Sequence, residues 1–166
     1  MKKIILVFLI LFVGNLVKSQ QSPSAMFQEI KDKAAIKEVV DTFSVLADVK
    51  DVKTQLTLFT TEATVENYTN GVFGGSLKGH LQIGDAFSAY LANFSTIYHS
   101  NGQQIIKLNG NTATATSYCT VKLVGKMQDK AVNLTHYVIY NDEFVKQDGK
   151  WLIAKRKSNF VYTEAK

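Results

Sequence analysis

The sequence predicts an α+β fold in which N-terminal helices lie on one face of an antiparallel sheet. Three observations predict it. Apolar residues recur at helical spacing in the first half of the chain. From residue 98 onward they alternate at strand spacing. An Asp148-Gly149 pair then separates two alternating runs within residues 132–157, the strongest short-range hairpin signal that a sequence carries.

Each element has its own signal. Ser22-Pro23-Ser24 is a plausible helix start, and Ile36, Val39, Val40, Phe43, Leu46 and Ala47 then form one apolar helical stripe. Residues 48–51 break the pattern, and Asp51 can cap a second short helix carrying Val52, Leu56 and Phe59. So short a loop packs the two helices side by side. Residues 61–68 alternate, with Thr64, Glu66 and Tyr68 on one face and Ala63, Val65 and Asn67 on the other. Gly71, Gly74, Gly75 and Gly79 then punctuate a short bent hairpin. These glycines lack the Lys-Ser/Thr ending of a nucleotide loop, so turn geometry explains them. Ile83, Phe87, Tyr90, Leu91 and Phe94 make the third helical stripe.

Strands follow at 98–108 and 112–124, joined by a turn at Asn109-Gly110. A loop around 125–130 leads into the 132–157 hairpin, whose return strand opens on Trp151. On the first strand of that hairpin, His136, Val138, Tyr140, Asp142 and Phe144 share a face. Three proton-handling side chains on an otherwise apolar face mark where function is to be sought. Tyr137, Ile139 and Val145 lie on the opposite face, so the strand wants cover on both sides. A homodimer formed through the sheet is the economical cover.

The 166 residues suit one domain, and 46% hydrophobic content argues for a packed globule. Residues 1–20 stand apart. Lys2 and Lys3 precede an apolar run at 4–13 and a polar exit at Lys18-Ser19-Gln20, the pattern of a secretory signal peptide. The run is shorter than the roughly 20 residues of a membrane span. Cleavage near Ser19 or Gln20 leaves no stable membrane anchor and a periplasmic or secreted protein; an uncleaved anchor is the alternative. Removing the segment lowers the formal net charge from +5 to +2, and nucleic-acid binding loses its main support. The run Lys155-Arg156-Lys157 reads as a solvated strand end. Cys119 is alone, so no intrachain disulfide forms, and its small apolar neighbours at alternate positions suggest a buried inert thiol.

Several short pieces, in order, carry a family resemblance: Leu46-Ala47-Asp48, Leu58-Phe59-Thr60-Thr61-Glu62-Ala63, Tyr98-His99-Ser100-Asn101, Leu108-Asn109-Gly110-Asn111-Thr112-Ala113, and Tyr140-Asn141-Asp142 running into Asp148-Gly149-Lys150-Trp151-Leu152-Ile153. Together they resemble the SnoaL-like branch of the nuclear transport factor two-like superfamily. Beyond the signal peptide at 1–20 and a lead-in at 21–33, the resemblance implies a single domain at 34–163. It implies a cystatin-like cone, with the helices packed in the concavity of a strongly curved antiparallel sheet and a pocket at its open end. Its enzymes use pocket His and Asp residues as acid–base groups, usually without a metal, which points to His99, Tyr140 and Asp142. His136 joins them because it shares a strand face with Tyr140 and Asp142. Asp48 matches only a helix-end pattern that also has a capping role.

Two functions follow from different classes. One is a cone that holds a small apolar molecule with a polar group, lined by Tyr68, Tyr90, Tyr98, Tyr118 and Phe144, with no cofactor expected. The other is an acid–base isomerase, dehydratase or cyclase in which Asp142 works with His99 or His136 and Tyr140 donates to an oxyanion. A metal site from His80, His99 and His136 lacks ligand spacing.

Overall fold

The computed structural model describes residues 22–166, so the expected signal peptide lies outside the described residues. Helix α1 (Pro23–Asp48) starts at Ser22, whose hydroxyl accepts from the Ala25 N–H, with Pro23 at the first helical position. The residues read as a lead-in are thus the first turns of α1. Its fully buried residues, Ile36, Val40, Phe43, Ser44 and Ala47, all lie in its C-terminal half. Asp51 caps α2 (Val52–Leu56) by accepting from the Thr54 N–H. Phe59, expected on that helix, instead begins strand β1 (Phe59–Thr69). Strand β2 (Val72–Lys78) and helix α3 (Gly79–Leu91) follow.

Four long strands complete the chain: β3 (Phe94–Asn109), β4 (Thr112–Met127), β5 (Lys130–Gln147) and β6 (Lys150–Ala165). The sheet order is β2-β1-β6-β5-β4-β3, so the last strand is inserted between β1 and β5. The fold is α+β as expected, although the sheet is mixed, since β1 and β6 pair in parallel. The hairpin at Asp148-Gly149 forms with both residues at positive φ, the primed-turn geometry whose twist matches the strands. The loop expected at 125–130 is instead a second tight turn. β4 runs on to Met127, and Gln128 and Asp129 both adopt positive φ. Asp129 tolerates positive φ, but Gln128 does not advertise it and no Gly follows, so the local turn signal is weak.

The inner sheet face and the helices enclose the core. Ile36, Phe43, Phe59, Ile83, Phe144, Trp151 and Ile153 pack in one cluster, and Ala47, Leu91, Phe94, Cys119, Val121, Leu123 and Tyr140 in another. Burying each large side chain contributes about 1.5–3 kcal/mol. Trp151 Nε1 donates to Asp32 Oδ1 at 2.8 Å, and Lys146 Nζ reaches the same oxygen at 2.6 Å, which ties α1 to the hairpin. Cys119 is buried, and burial pushes its thiol up to about 11, as an inert thiol requires.

One close backbone approach holds the start of β3 against β4. A Cβ at Gly125 would lie 2.1 Å from Asn93 O and 2.5 Å from Phe94 Cα. Both are main-chain atoms, so no side chain can swing away. Gly125→Ala is expected to cost about 1–3 kcal/mol, read as a lowered urea midpoint at unchanged m. An unchanged midpoint would mean that the β3 start yields freely.

Candidate active site

Three polar links fix the C-terminal half of α1 against β3. Ser44 Oγ donates to Asn101 Oδ1 at 3.0 Å, and Asn101 Nδ2 donates to Asp41 Oδ1 at 3.0 Å. At the end of the helix, Asp48 meets His99. The His99 backbone N–H lies 3.0 Å and 3.2 Å from the two carboxylate oxygens, and His99 Nδ1 lies 2.6 Å from Oδ1. A carboxylate accepts, so Nδ1 carries the proton and Nε2 keeps a lone pair with no partner among the described residues. Burial pushes the His99 pKa down and the Asp48 hydrogen bond pulls it up. The net result lies below the ordinary value, so the ring is neutral at pH 7.

His99 lines a cavity of about 470 Å³ under the sheet. Its walls are largely apolar, built from Phe87, Leu91, Val121, Leu123 and Phe160. Tyr140 also lines it. Burial holds that phenol far above its usual range, so it stays a hydrogen-bond donor, and no protein group takes up its hydroxyl. At the exposed rim, Tyr90 Oη sits 3.3 Å from His136 Nε2, and His136 Nδ1 sits 2.8 Å from Thr163 Oγ1. Burial lowers the His136 pKa and raises that of Tyr90.

Asp142 is placed differently from its expected role. It shares the inner face with His136 and Tyr140, as period-two counting requires, yet it does not line the cavity. Both its oxygens accept from Arg156, from Nε and Nη2 at 2.8 Å each. It pairs with neither His99 nor His136 and is not available as their partner. Arg156 is 1% exposed, so the reading of 155–157 as a solvated strand end is wrong for its middle residue. Lys155 does point away, pairing with Glu66. The Arg156 guanidinium packs against two rings, its Cζ 4.1 Å from the Phe43 centroid and 4.4 Å from that of Tyr140.

The expected aromatic lining also needs correction. Tyr90 lines the cavity, but Tyr68, Tyr98, Tyr118 and Phe144 do not. Tyr98 and Tyr118 stand exposed on the outer sheet face. Tyr68 alternates outward beside the cavity-lining Asn67 and Thr69, donating to Glu66 Oε2 at 2.9 Å. Phe144 is sealed in the core. His80 meets the Phe59 carbonyl at 3.2 Å, outside the cavity. Among the described residues no three His, Cys, Asp or Glu side chains gather to hold a metal.

The family model described as a SnoaL-like domain matches residues 28–157. The chain belongs to the SnoaL-like domain family. A search of curated proteins found no match. Solved structures share the fold of this SnoaL-like domain. A hexachlorocyclohexane dehydrochlorinase, LinA type 2, superposes with a TM-score of 0.72 at 14% identity, covering 85% of this chain and 93% of that one. A Novosphingobium aromaticivorans protein provisionally named a scytalone dehydratase gives 0.72 at 18% identity, with 84% and 90% covered. A Nostoc punctiforme protein of unknown function with a cystatin-like fold gives 0.63 at 26% identity, with 77% and 90% covered. These likenesses establish the SnoaL-like, cystatin-like architecture around the site.

Proposed function

We propose that this SnoaL-like domain binds a small, largely apolar molecule and moves a proton on it, with His99 as the base. The observation that carries the reading is the 2.6 Å contact between His99 Nδ1 and Asp48 Oδ1 in a ring whose other nitrogen is free on the cavity wall. Asp48 orients the ring and stabilises the imidazolium that forms. His99 Nε2 takes a proton from a carbon beside an electron-withdrawing group. The electron pair moves toward that group, and the Tyr140 hydroxyl donates to the oxygen gaining charge. In a dehydration the C–O bond breaks next, and the proton on His99 passes to the departing hydroxide to give water. Two fold neighbours carry names of elimination enzymes, a dehydrochlorinase and a dehydratase, which supports this reaction class.

The test uses the aldol adduct of benzaldehyde and acetone, a neutral methyl ketone with phenyl and hydroxyl on its β carbon, in deuterium oxide. The protein is expected to speed deuterium entry beside the carbonyl, or dehydration to benzylideneacetone, and His99→Ala to lose that acceleration. Binding without acceleration of either would favour a carrier.

We also propose a second copy as the cover of the outer sheet face, in a protein exported from its site of synthesis. Thr112, Thr114, Thr116, Tyr118 and Thr120 carry no charge along the outer side of β4, and Tyr137 and Tyr162 stack beside them at 5.8 Å. This uncharged stripe is flanked on the same face by Lys107, Lys122 and Glu143, a mix of both signs that a second copy can complement around a two-fold axis. Light scattering after size exclusion is expected to give a dimer and Tyr118→Lys a monomer. A monomeric wild type at about 100 μM would sink the idea.

A further inference from the structure

Among the described residues, two buried polar atoms of cavity-lining side chains have no partner. Arg156 Nη1 has no acceptor, although the same guanidinium places Nε and Nη2 on Asp142 and packs against the rings of Phe43 and Tyr140. Gln55 Oε1 has no donor. The orientation of Gln55 is fixed, because its Nε2 donates to the Phe43 carbonyl at 2.9 Å and a carbonyl can only accept. Both residues are 1% exposed and both line the cavity. Both are also anchored on Phe43, one at its carbonyl and one over its ring. A largely apolar cavity thus has one strong donor and one acceptor unused in the part of its wall that rests on Phe43. Buried groups of this kind are paired in the great majority of folded proteins.

We propose that Arg156 Nη1 and Gln55 Oε1 form a polar subsite for a neutral ligand end that accepts and donates at once: a primary amide, a hydroxy ketone or an un-ionised acid. The acceptor atom of the ligand takes the Arg156 N–H, and its donor reaches Gln55 Oε1. A carboxylate is the wrong complement. Asp142 already balances the Arg156 charge, and the Gln55 oxygen would face a second lone pair. A hydrocarbon leaves both atoms unpaired, the mismatch that polar sites discriminate against most sharply. This subsite deepens the proposed function and rests on the cavity as a ligand site, but not on His99 acting as a base.

Four probes of one shape test it by calorimetry on the whole protein: β-naphthamide, methyl β-naphthoate, the β-naphthoate anion and naphthalene. The amide is expected to bind about tenfold or more tightly than each of the others. Gln55→Met is expected to bring the amide down to the level of the ester while leaving the ester within about twofold. Arg156→Lys should weaken the amide and the ester together; the Gln55 variant keeps the test decisive if that protein does not fold. Equal binding of amide, ester and naphthalene overturns the proposal, as does an amide preference that survives Gln55→Met, or no binding of any probe at about 1 mM. His99→Ala separates the two readings. A failed catalytic role leaves the amide preference intact, and a failed subsite leaves the proton transfer intact.

Discussion

Replacing Asp142 with alanine is expected to cost the fold about 3–5 kcal/mol. The cause is what remains behind. Arg156 stays charged in a site that is 1% exposed, and the two bidentate bonds that hold it are gone. Burial alone would push the Arg156 pKa down, and the neighbouring Asp142 carboxylate is what holds it up. Domains of this size are stable by about 5–15 kcal/mol, so roughly a fifth or more of the total disappears. Urea denaturation followed by tryptophan fluorescence would read the loss through Trp151, which packs in the adjoining core cluster. The double variant Asp142→Leu with Arg156→Met removes both charges and is expected to recover most of the stability. A single variant that loses less than about 1 kcal/mol would mean that the pair contributes little, as exposed pairs do.

Asp48→Asn is expected to slow proton transfer by about 10²–10⁴-fold while leaving the fold in place. An amide can present its N–H to His99 and favour the wrong tautomer, with the proton on Nε2. The His99 titration gives an independent check. In the wild type, burial sets the imidazole below its ordinary value against the opposing pull of Asp48. The rate should therefore rise with pH through that lowered value and already be level at pH 7, since the neutral ring is the base. Removing the carboxylate removes the pull, so NMR should show the His99 pKa falling further. A rate and a titration both unchanged by Asp48→Asn would reduce the contact to a helix-end anchor.

Strand parity made much of this site legible in sequence. It put His136, Val138, Tyr140, Asp142 and Phe144 on the inner face, where the structure has them. The same rule, applied to Tyr118 beside Thr114, Thr116 and Thr120, would have kept that tyrosine outside the cavity. Parity gives a face, but it does not give depth or a partner. Asp142 and Phe144 lie deeper than the cavity wall, and the partner of Asp142 comes from the neighbouring strand, at a register set by the hairpin. Arg156 was hidden by the lysines on either side, although alternation turns the middle of three consecutive strand residues the other way. Asp48 and His99 are 51 residues apart and meet only because α1 docks on β3. No local pattern reports such a pairing, and the end of a helix offers an acidic residue a capping role that is the simpler reading. Gln55 was missed for the same reason. Its role comes from a contact with Phe43 across the α1–α2 turn.

The placement of β6 has a kinetic consequence. This last strand is the bridge between β1 and β5, pairing Thr64 with Lys155 on one side and Asp142 with Arg156 on the other. Until it arrives, the N-terminal and C-terminal parts of the sheet have no common strand, and β1 and β5 each present an open edge. Contacts so distant along the chain make folding slow, and open edges invite association between chains in the interval. During synthesis, the final sixteen residues of the strand complete the sheet and deliver Arg156 in one event. A chain halted before residue 150 has neither a continuous sheet nor a floor to its pocket.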